Sequence, residues 1–433
     1  MPPEIRRREL PFIAAWLAMG ALVIKNYNGD KDTVAISVDA DKEHIEISLP
    51  DYELAVEISK KITLGLYPSR IVSASDVMIL CRRAAIEIDK MGDSRKGIKS
   101  VAMLKDRSGS GYWRVVFPVN HMDQTGMSID ITSAGMKYEY LREYDTISVQ
   151  RLCDWESYYI LERLKNEGKR IVYDIDDDLF NIPKTHPDFR LIGHDEKIAA
   201  ACIMKLADAV VVSTVPLAEI IKDVAGCDSI VIPNAVDMSN GWTPTPFTGS
   251  PDNIKRIFWQ GGNTHADDWT ECADAIDAIL GERQDVRVVI LGFLPPIVIG
   301  MLQKPNWKGR VEFLEFSSAE TYFTMMKHIK ADVGIAPLID TRFARSKSNL
   351  KFLEYTATGM PTVASDVRPY SDTITTGVDG FIAKSSRDWF DSIMKCLDDK
   401  RARLAILEAA RIKVRKEYDI KNIAAAWRGI LVP

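Results

Sequence analysis

Two hydrophobic rhythms alternate along most of this 433-residue chain. Short apolar runs read as buried strands, and stretches with apolar positions three and four apart read as helices. Strands are predicted at Tyr112–Pro118, Thr146–Leu152, Arg170–Ile175, Ala207–Ser213 and Ser229–Pro233, with helices at Asp154–Asn166, Lys197–Leu206 and Leu217–Val224. After a break the alternation restarts with strands at Arg256–Trp259, Val286–Leu291, Val311–Leu314, Asp332–Leu338 and Gly380–Ala383. Its helices are Asp268–Leu280, Ala319–Ile329, one opening at Ser348-Asn349 and stopped by Gly359, Ser386–Asp398, and two more from Lys400 and Asp419. Strands alternating with helices imply parallel sheets covered on both faces, so the expected fold is α/β with two tandem doubly wound, Rossmann-like domains.

The first hundred residues break this rhythm. Thr33–Val38 and His44–Leu49 alternate as hairpin strands, and Asp51–Leu66 and Ser73–Lys90 carry helical patterns. A small α+β module over 1–105 is expected, then a first Rossmann-like domain at 106–237, a linker at 238–252 rich in Pro, Gly, Ser and Thr, and a second domain at 253–433. Arg6-Arg7-Arg8 ahead of Pro11–Ile24 resembles the basic and apolar regions of a signal peptide. It lacks a small-residue cleavage site and is too short to span a bilayer, so a helix buried in the module is expected. The module has no assigned role; contact with an acceptor, a partner or a membrane surface stays open.

Composition narrows this picture. A net charge of −5 gives no global pull toward nucleic acid or anionic lipid, and residues 1–100 carry 15 cations against 15 anions. Six scattered cysteines without CxxC spacing suggest reduced thiols and a cytoplasmic setting. Six histidines without paired spacing argue against zinc.

Candidate chemistry gathers in three stretches. In Arg342–Ser365 the cations Arg342, Arg345, Lys347 and Lys351 surround a predicted helix start at Ser348 and Asn349, with Glu354 one turn inside. Cations and free N–H groups suit a diphosphate and a carboxylate suits sugar hydroxyls, which describes a nucleotide-sugar site. An amphipathic helix beside an ordinary basic loop accounts for the same residues. In Phe258–Trp269 the turn Gly261, Gly262, Asn263 and Thr264 allows close backbone approach and helix capping, while His265 offers proton transfer or a diphosphate contact. It is not GxGxxG, so no dinucleotide cofactor is implied. In Val172–Phe180 the carboxylates Asp174, Asp176, Asp177 and Asp178 crowd a strand end, fit for acceptor binding, a general base or a divalent metal; an acidic helix start is the alternative.

The order of these stretches, with PNAVD at Pro233–Asp237 and TGVDGFIA at Thr376–Ala383, resembles glycosyltransferase family 4 over roughly residues 112–431. THADD and SNLKFLEY are similar to the THxxD and SxLKxLEY signatures of a divergent bacterial and phage branch. The resemblance implies a GT-B arrangement, with the donor on the second domain and the last helix, carrying Trp427, crossing back. It implies transfer with retention from a nucleotide sugar; the acceptor, whether a glycan, a lipid-linked sugar, a protein or a modified DNA base, stays open. Glu354 matches the second glutamate of the E-x7-E motif, the ribose ligand, whereas Ser346 replaces the first. The usual cations after the domain's first strand are absent, which leaves Lys347 and Lys351 to neutralise the diphosphate. Asp176 and His265 are the candidates for acceptor-side proton handling. No cofactor is required and no metal is expected, though the acidic cluster keeps one open. A catalytically weak sugar-nucleotide-binding or partner-binding homologue, or a nucleotide-sugar epimerase, would share this fold.

Overall fold

The computed structural model describes residues 97–105, 109–133, 135, 137–239, 253–265, 267–315, 322, 325, 326 and 328–432, together with three earlier strands. Those strands are β1 (Val23–Asn28), β2 (Thr33–Ser37) and β3 (Ile45–Ser48), and they form an antiparallel meander. The β2–β3 hairpin follows the predicted alternation. The apolar helix at 11–24 overlaps the start of β1, and its remainder, like the two predicted helices of the module, lies outside the described residues. So do most of the linker and of the helix at 319–329.

Contacts divide the chain into two compact units. One runs to Leu104 and includes Asp123–Ile147; the other holds Lys105–Met122 and Ser148–Leu431. In the first unit, β4 (Ile98–Met103) pairs in parallel with β5 (Met127–Thr132), two strands that the pattern did not predict. Next along the chain, β6 (Thr146–Gln150) is buried throughout.

In the second unit, β7 (Arg170–Ile175), β8 (Ala209–Val212) and β9 (Ile230–Val231) run parallel. Helices Trp155–Asn166, His194–Leu206 and Val215–Ala225 alternate with them. Their starts are legible in sequence: Asp154 accepts the Ser157 N–H at 2.8 Å, and Thr214 accepts that of Leu217 at 3.3 Å.

A six-stranded parallel sheet follows in the order β12-β11-β10-β13-β14-β15. It comprises β10 (Lys255–Gly261), β11 (Val286–Gly292), β12 (Val311–Glu315), β13 (Val333–Ala336), β14 (Thr362–Ser365) and β15 (Phe381–Ala383). Its first strand lies in the interior of the sheet. The tandem Rossmann-like plan is therefore the one expected. Against one face pack helices Ala273–Glu282 and Ser386–Asp398, around the buried tryptophans Trp259, Trp269, Trp307 and Trp389. Helix Leu350–Thr358 ends at Gly359, whose φ of +93° is a left-handed stop suited to glycine.

One predicted strand is wrong. Tyr112–Pro118 is helical: Gly109–Gly111, a π-helical turn at Tyr112–Val116 and Phe117–His121 follow one another without a break. A short apolar run cannot distinguish a buried strand from a buried helix, and here the helix inserts Arg114 into the interior. The last helix, Ile420–Leu431, lays Trp427 against Arg114 at 5.2 Å, and its Ile430 carbonyl accepts from Arg170 at 3.2 Å. Among the described residues no helix is long and apolar enough to cross a membrane, and Cys153, Cys202, Cys227, Cys272 and Cys396 are free thiols.

Candidate functional site

The acidic segment after β7 separates into structural and available carboxylates. Asp174, 1% exposed, takes Arg114 in a bidentate grip, Nη2 to Oδ1 at 2.7 Å and Nε to Oδ2 at 3.3 Å. Arg114 also donates to the Ile232 carbonyl at 2.6 Å and to Asn234 Oδ1 at 3.3 Å. Asp178, fully buried, accepts the backbone N–H groups of Phe180 and Asn181 at 2.9 and 3.2 Å and the Asn181 amide at 2.7 Å. Both carboxylates therefore have partners within the chain: an interior Arg takes one, and a turn takes the other.

Asp176 and Asp177 remain. Arg151, whose backbone takes a left-handed φ of 53°, brings Nη1 within 3.8 Å of a carboxylate oxygen on each and Nη2 within 3.7 Å of Asp188. Asp176 Oδ1 is buried with no hydrogen-bond partner among the described residues. Burial pushes its carboxyl up to about 6 despite Arg151. Asp177 moves the other way. Burial raises it, but Lys347 Nζ at 3.4 Å and Arg151 outweigh that and hold it below the usual carboxylate range.

Lys347 follows the short helix Arg342–Arg345, over whose Phe343 ring its ammonium sits at 4.6 Å. His186 packs against the same ring, kept below its ordinary value by burial and by Lys347. Two hydrogen bonds anchor the turn's backbone and side chain: Thr214 Oγ1 to the Ser346 carbonyl at 2.7 Å, and Asn234 Nδ2 to Ser348 Oγ at 3.0 Å. Asn234, from the weak PNAVD motif, thus reaches the segment that carries the strongest sequence signal. The expected side-chain cap does not form. Asn349 stands at the cap position but donates to Thr373 Oγ1 at 3.1 Å, so neither it nor Ser348 satisfies the first N–H groups of helix Leu350–Thr358. Arg345 is taken by Asp340 at 2.6 and 2.7 Å, which removes it from the expected cationic ring.

Deeper in that helix, Lys351 and Glu354 are both buried, at 7% and 2% exposure. Glu354 Oε2 accepts from Gln260 Nε2 at 2.7 Å, at the carboxyl end of β10. Burial lifts Glu354 to about 7 and drops Lys351 to about 8, with Asp268 and Glu354 opposing the fall of the lysine. Tyr355 fixes the same strand end, accepting the Gln260 N–H at 3.3 Å and donating to the Ile335 carbonyl at 3.0 Å.

The glycine turn lies beside them. Gly261 needs its missing side chain for packing, because a Cβ there would sit 2.5 Å from the Trp259 ring; Gly262 has open space around it. Asn263, Thr264 and His265 form a 3-10 turn, with Asn263 and Thr264 exposed. His265 Nδ1 lies 2.7 Å from Asp268 Oδ2, and Asp268 Oδ1 accepts the Ile339 N–H at 3.0 Å. A carboxylate has only lone pairs to offer, so Nδ1 carries the hydrogen and Nε2 presents a lone pair. Burial, then Lys351, depresses the imidazole to about 4. At neutral pH it is an uncharged acceptor, suited to a hydroxyl and unsuited to a phosphate oxygen.

The structure therefore gathers Asp176, Asp177, Lys347, Lys351, Glu354 and His265 with the Gly261 and Ser348 turns. Arg114, Arg151, His186, Gln260 and Asp268 were not predicted. A lone arginine inside an apolar run, such as Arg114, is itself a signal of a buried ion pair. Among the described residues no group of three His, Cys, Asp or Glu side chains could hold a metal ion.

Residues 255–399 match the family model of glycosyl transferases group 1. No curated protein matches the sequence. The chain is similar in fold to Anabaena HepE, solved in complex with UDP-glucose, with TM-score 0.58 and 13% identity over 77% of this chain and 99% of that one. It is similar also to a glycosyltransferase from Rickettsia africae, with TM-score 0.58 and 14% identity over 78% and 98% of the two chains. For sucrose-phosphate synthase from Thermosynechococcus elongatus the TM-score is 0.56 at 14% identity, again over 78% and 98%.

Proposed function

We propose that this chain, a glycosyltransferase of the GT-B type by its group 1 segment and its fold, moves a sugar from a nucleotide-sugar donor to an acceptor hydroxyl. The observation that carries the reading is the buried Gln260–Glu354 pair beside Lys351 at the carboxyl end of β10, where ligands meet sheets of this kind. A carboxylate and an ammonium held in one dry place complement a ribose diol joined to a diphosphate. That HepE, on the same fold, holds UDP-glucose supports this choice of donor.

Glu354 and Gln260 take the ribose. Lys351, Lys347 and the uncapped start of the helix receive the diphosphate, and those groups stabilise the charge that develops as the glycosidic bond breaks. Breaking that bond leaves its electron pair on the diphosphate; the acceptor oxygen forms the new bond and gives up its proton. Asp176, with a buried oxygen free to accept, orients that hydroxyl, while His265 accepts from a hydroxyl of the donor sugar. Retention, with the departing phosphate oxygen helping to remove the acceptor proton, is the stereochemistry we favour from the family resemblance.

The test is incubation of the full chain with radiolabelled UDP-, ADP- and GDP-sugars, followed by measurement of binding, release and transfer. Binding of one donor with release or transfer of its sugar is expected. Binding with neither supports a sugar-nucleotide-binding protein instead, and no binding to any refutes the donor site.

A further inference from the structure

We propose that Asp177 is a positioning residue that stands in for the donor diphosphate: it holds Lys347 before the donor binds and releases it when the diphosphate arrives. The inference rests on the donor reading above and adds to it an internal competitor for one of the two lysines.

Four observations carry it. The Lys347 Nζ to Asp177 Oδ1 distance of 3.4 Å is long beside the roughly 2.7–2.9 Å of a tight charge-assisted bond, so the pair is loose. Only the side chain needs to move, because Thr214 holds the Ser346 carbonyl and Asn234 holds Ser348, which fixes the turn on both sides of Lys347. Asp177 is not stranded by the exchange, since Arg151 Nη1 already lies 3.8 Å from its other oxygen. Finally, Lys347 and Lys351 repel each other, and each favours an anion between them. With no donor present, Asp177 is the carboxylate that lowers this repulsion from the Lys347 side. His186 and Phe343 complete the surroundings of the ammonium: a half-buried imidazole and an aromatic face, neither carrying an anion.

Removing the competitor should tighten phosphate binding, an outcome that a merely structural aspartate would not produce. Titration calorimetry would compare the wild type, Asp177→Asn and Asp177→Glu, using UDP, ADP and GDP against the matching nucleosides. Asp177→Asn should bind its preferred diphosphate about two- to fivefold more tightly, the range of a partly exposed ion pair. Nucleoside affinity should stay constant, and Asp177→Glu should return the diphosphate value toward wild type. Equal or weaker diphosphate binding by Asp177→Asn overturns the inference while leaving the donor reading intact, as does a parallel change for nucleosides. Absence of all nucleotide binding in the wild type overturns both. Should Asp177→Asn fail to fold by thermal melting, Asp177→Ser asks the same question, and failure of both to fold marks the pair as structural and ends the proposal.

Discussion

Glu354→Gln tests the donor site most directly, because the substitution keeps shape and the Gln260 contact while removing charge. Glu354 is buried and ionises near pH 7, so the wild type is about half charged there. A hydrogen bond to a charged acceptor is worth about 1.5–3 kcal/mol against about 1 for a neutral one. Two ribose hydroxyls on an ionised Glu354 therefore gain roughly 2 kcal/mol over the amide, about thirtyfold in affinity. At pH 8, where the carboxyl is mostly ionised, the variant should bind nucleoside about thirtyfold more weakly. At pH 6 only about a tenth is ionised, and the gap should shrink to about fourfold.

Nucleosides isolate this effect from Lys351, which sheds its proton near pH 8 and weakens diphosphate binding above it. The two limbs together place maximal wild-type diphosphate affinity between about 7 and 8, as a property of the coupled pair. Stability provides the control. The folded state raises the Glu354 pKa above its usual 4.5, so its contribution is present below that value and is lost as pH rises through about 7. The amide escapes this loss and should be more stable at pH 8, by an amount on the order of 3 kcal/mol. Calorimetry with a nucleoside and its diphosphate at pH 6, 7 and 8, beside urea unfolding, covers all these outcomes. Identical nucleoside affinities at pH 8 would refute the ribose assignment.

Arg114→Met should cost about 3–5 kcal/mol in urea unfolding by stranding the buried Asp174, and Arg114→Met with Asp174→Asn should recover part of that loss. Gly334→Ala would place a Cβ 2.4 Å from the Tyr355 ring, so it should lower stability by about 1–3 kcal/mol and, by shifting Gln260, weaken donor binding. If Asp176 accepts from the acceptor hydroxyl, wild-type kcat/KM rises with pH through about 6 as its carboxyl ionises. Asp176→Asn should lose that limb, and an unchanged pH profile would remove the residue from the acceptor side.

The alternation of apolar runs sufficed to predict two parallel sheets, because strands buried on both faces must be apolar throughout and their crossovers must be amphipathic helices. It also predicted strand Arg170–Ile175 and helix Ser386–Asp398 to the residue, with Asp154, Thr214 and Gly359 marking ends by local chemistry alone. Local pattern failed at Tyr112–Pro118, where the segment is helical and carries Arg114 to a partner 60 residues away, Asp174. The same limit governs the site. Lys351, Glu354 and the Gly261 turn stand out in sequence because residue type and spacing carry their chemistry. Four aspartates in five residues look equivalent there; the folded structure divides them by giving one to Arg114, one to a turn, one to Lys347, and leaving an oxygen of the fourth near Arg151 but without a hydrogen bond. Charge and hydrogen-bonding capacity are written in each residue, but which of those capacities is already spent depends on neighbours that only the folded chain brings within reach.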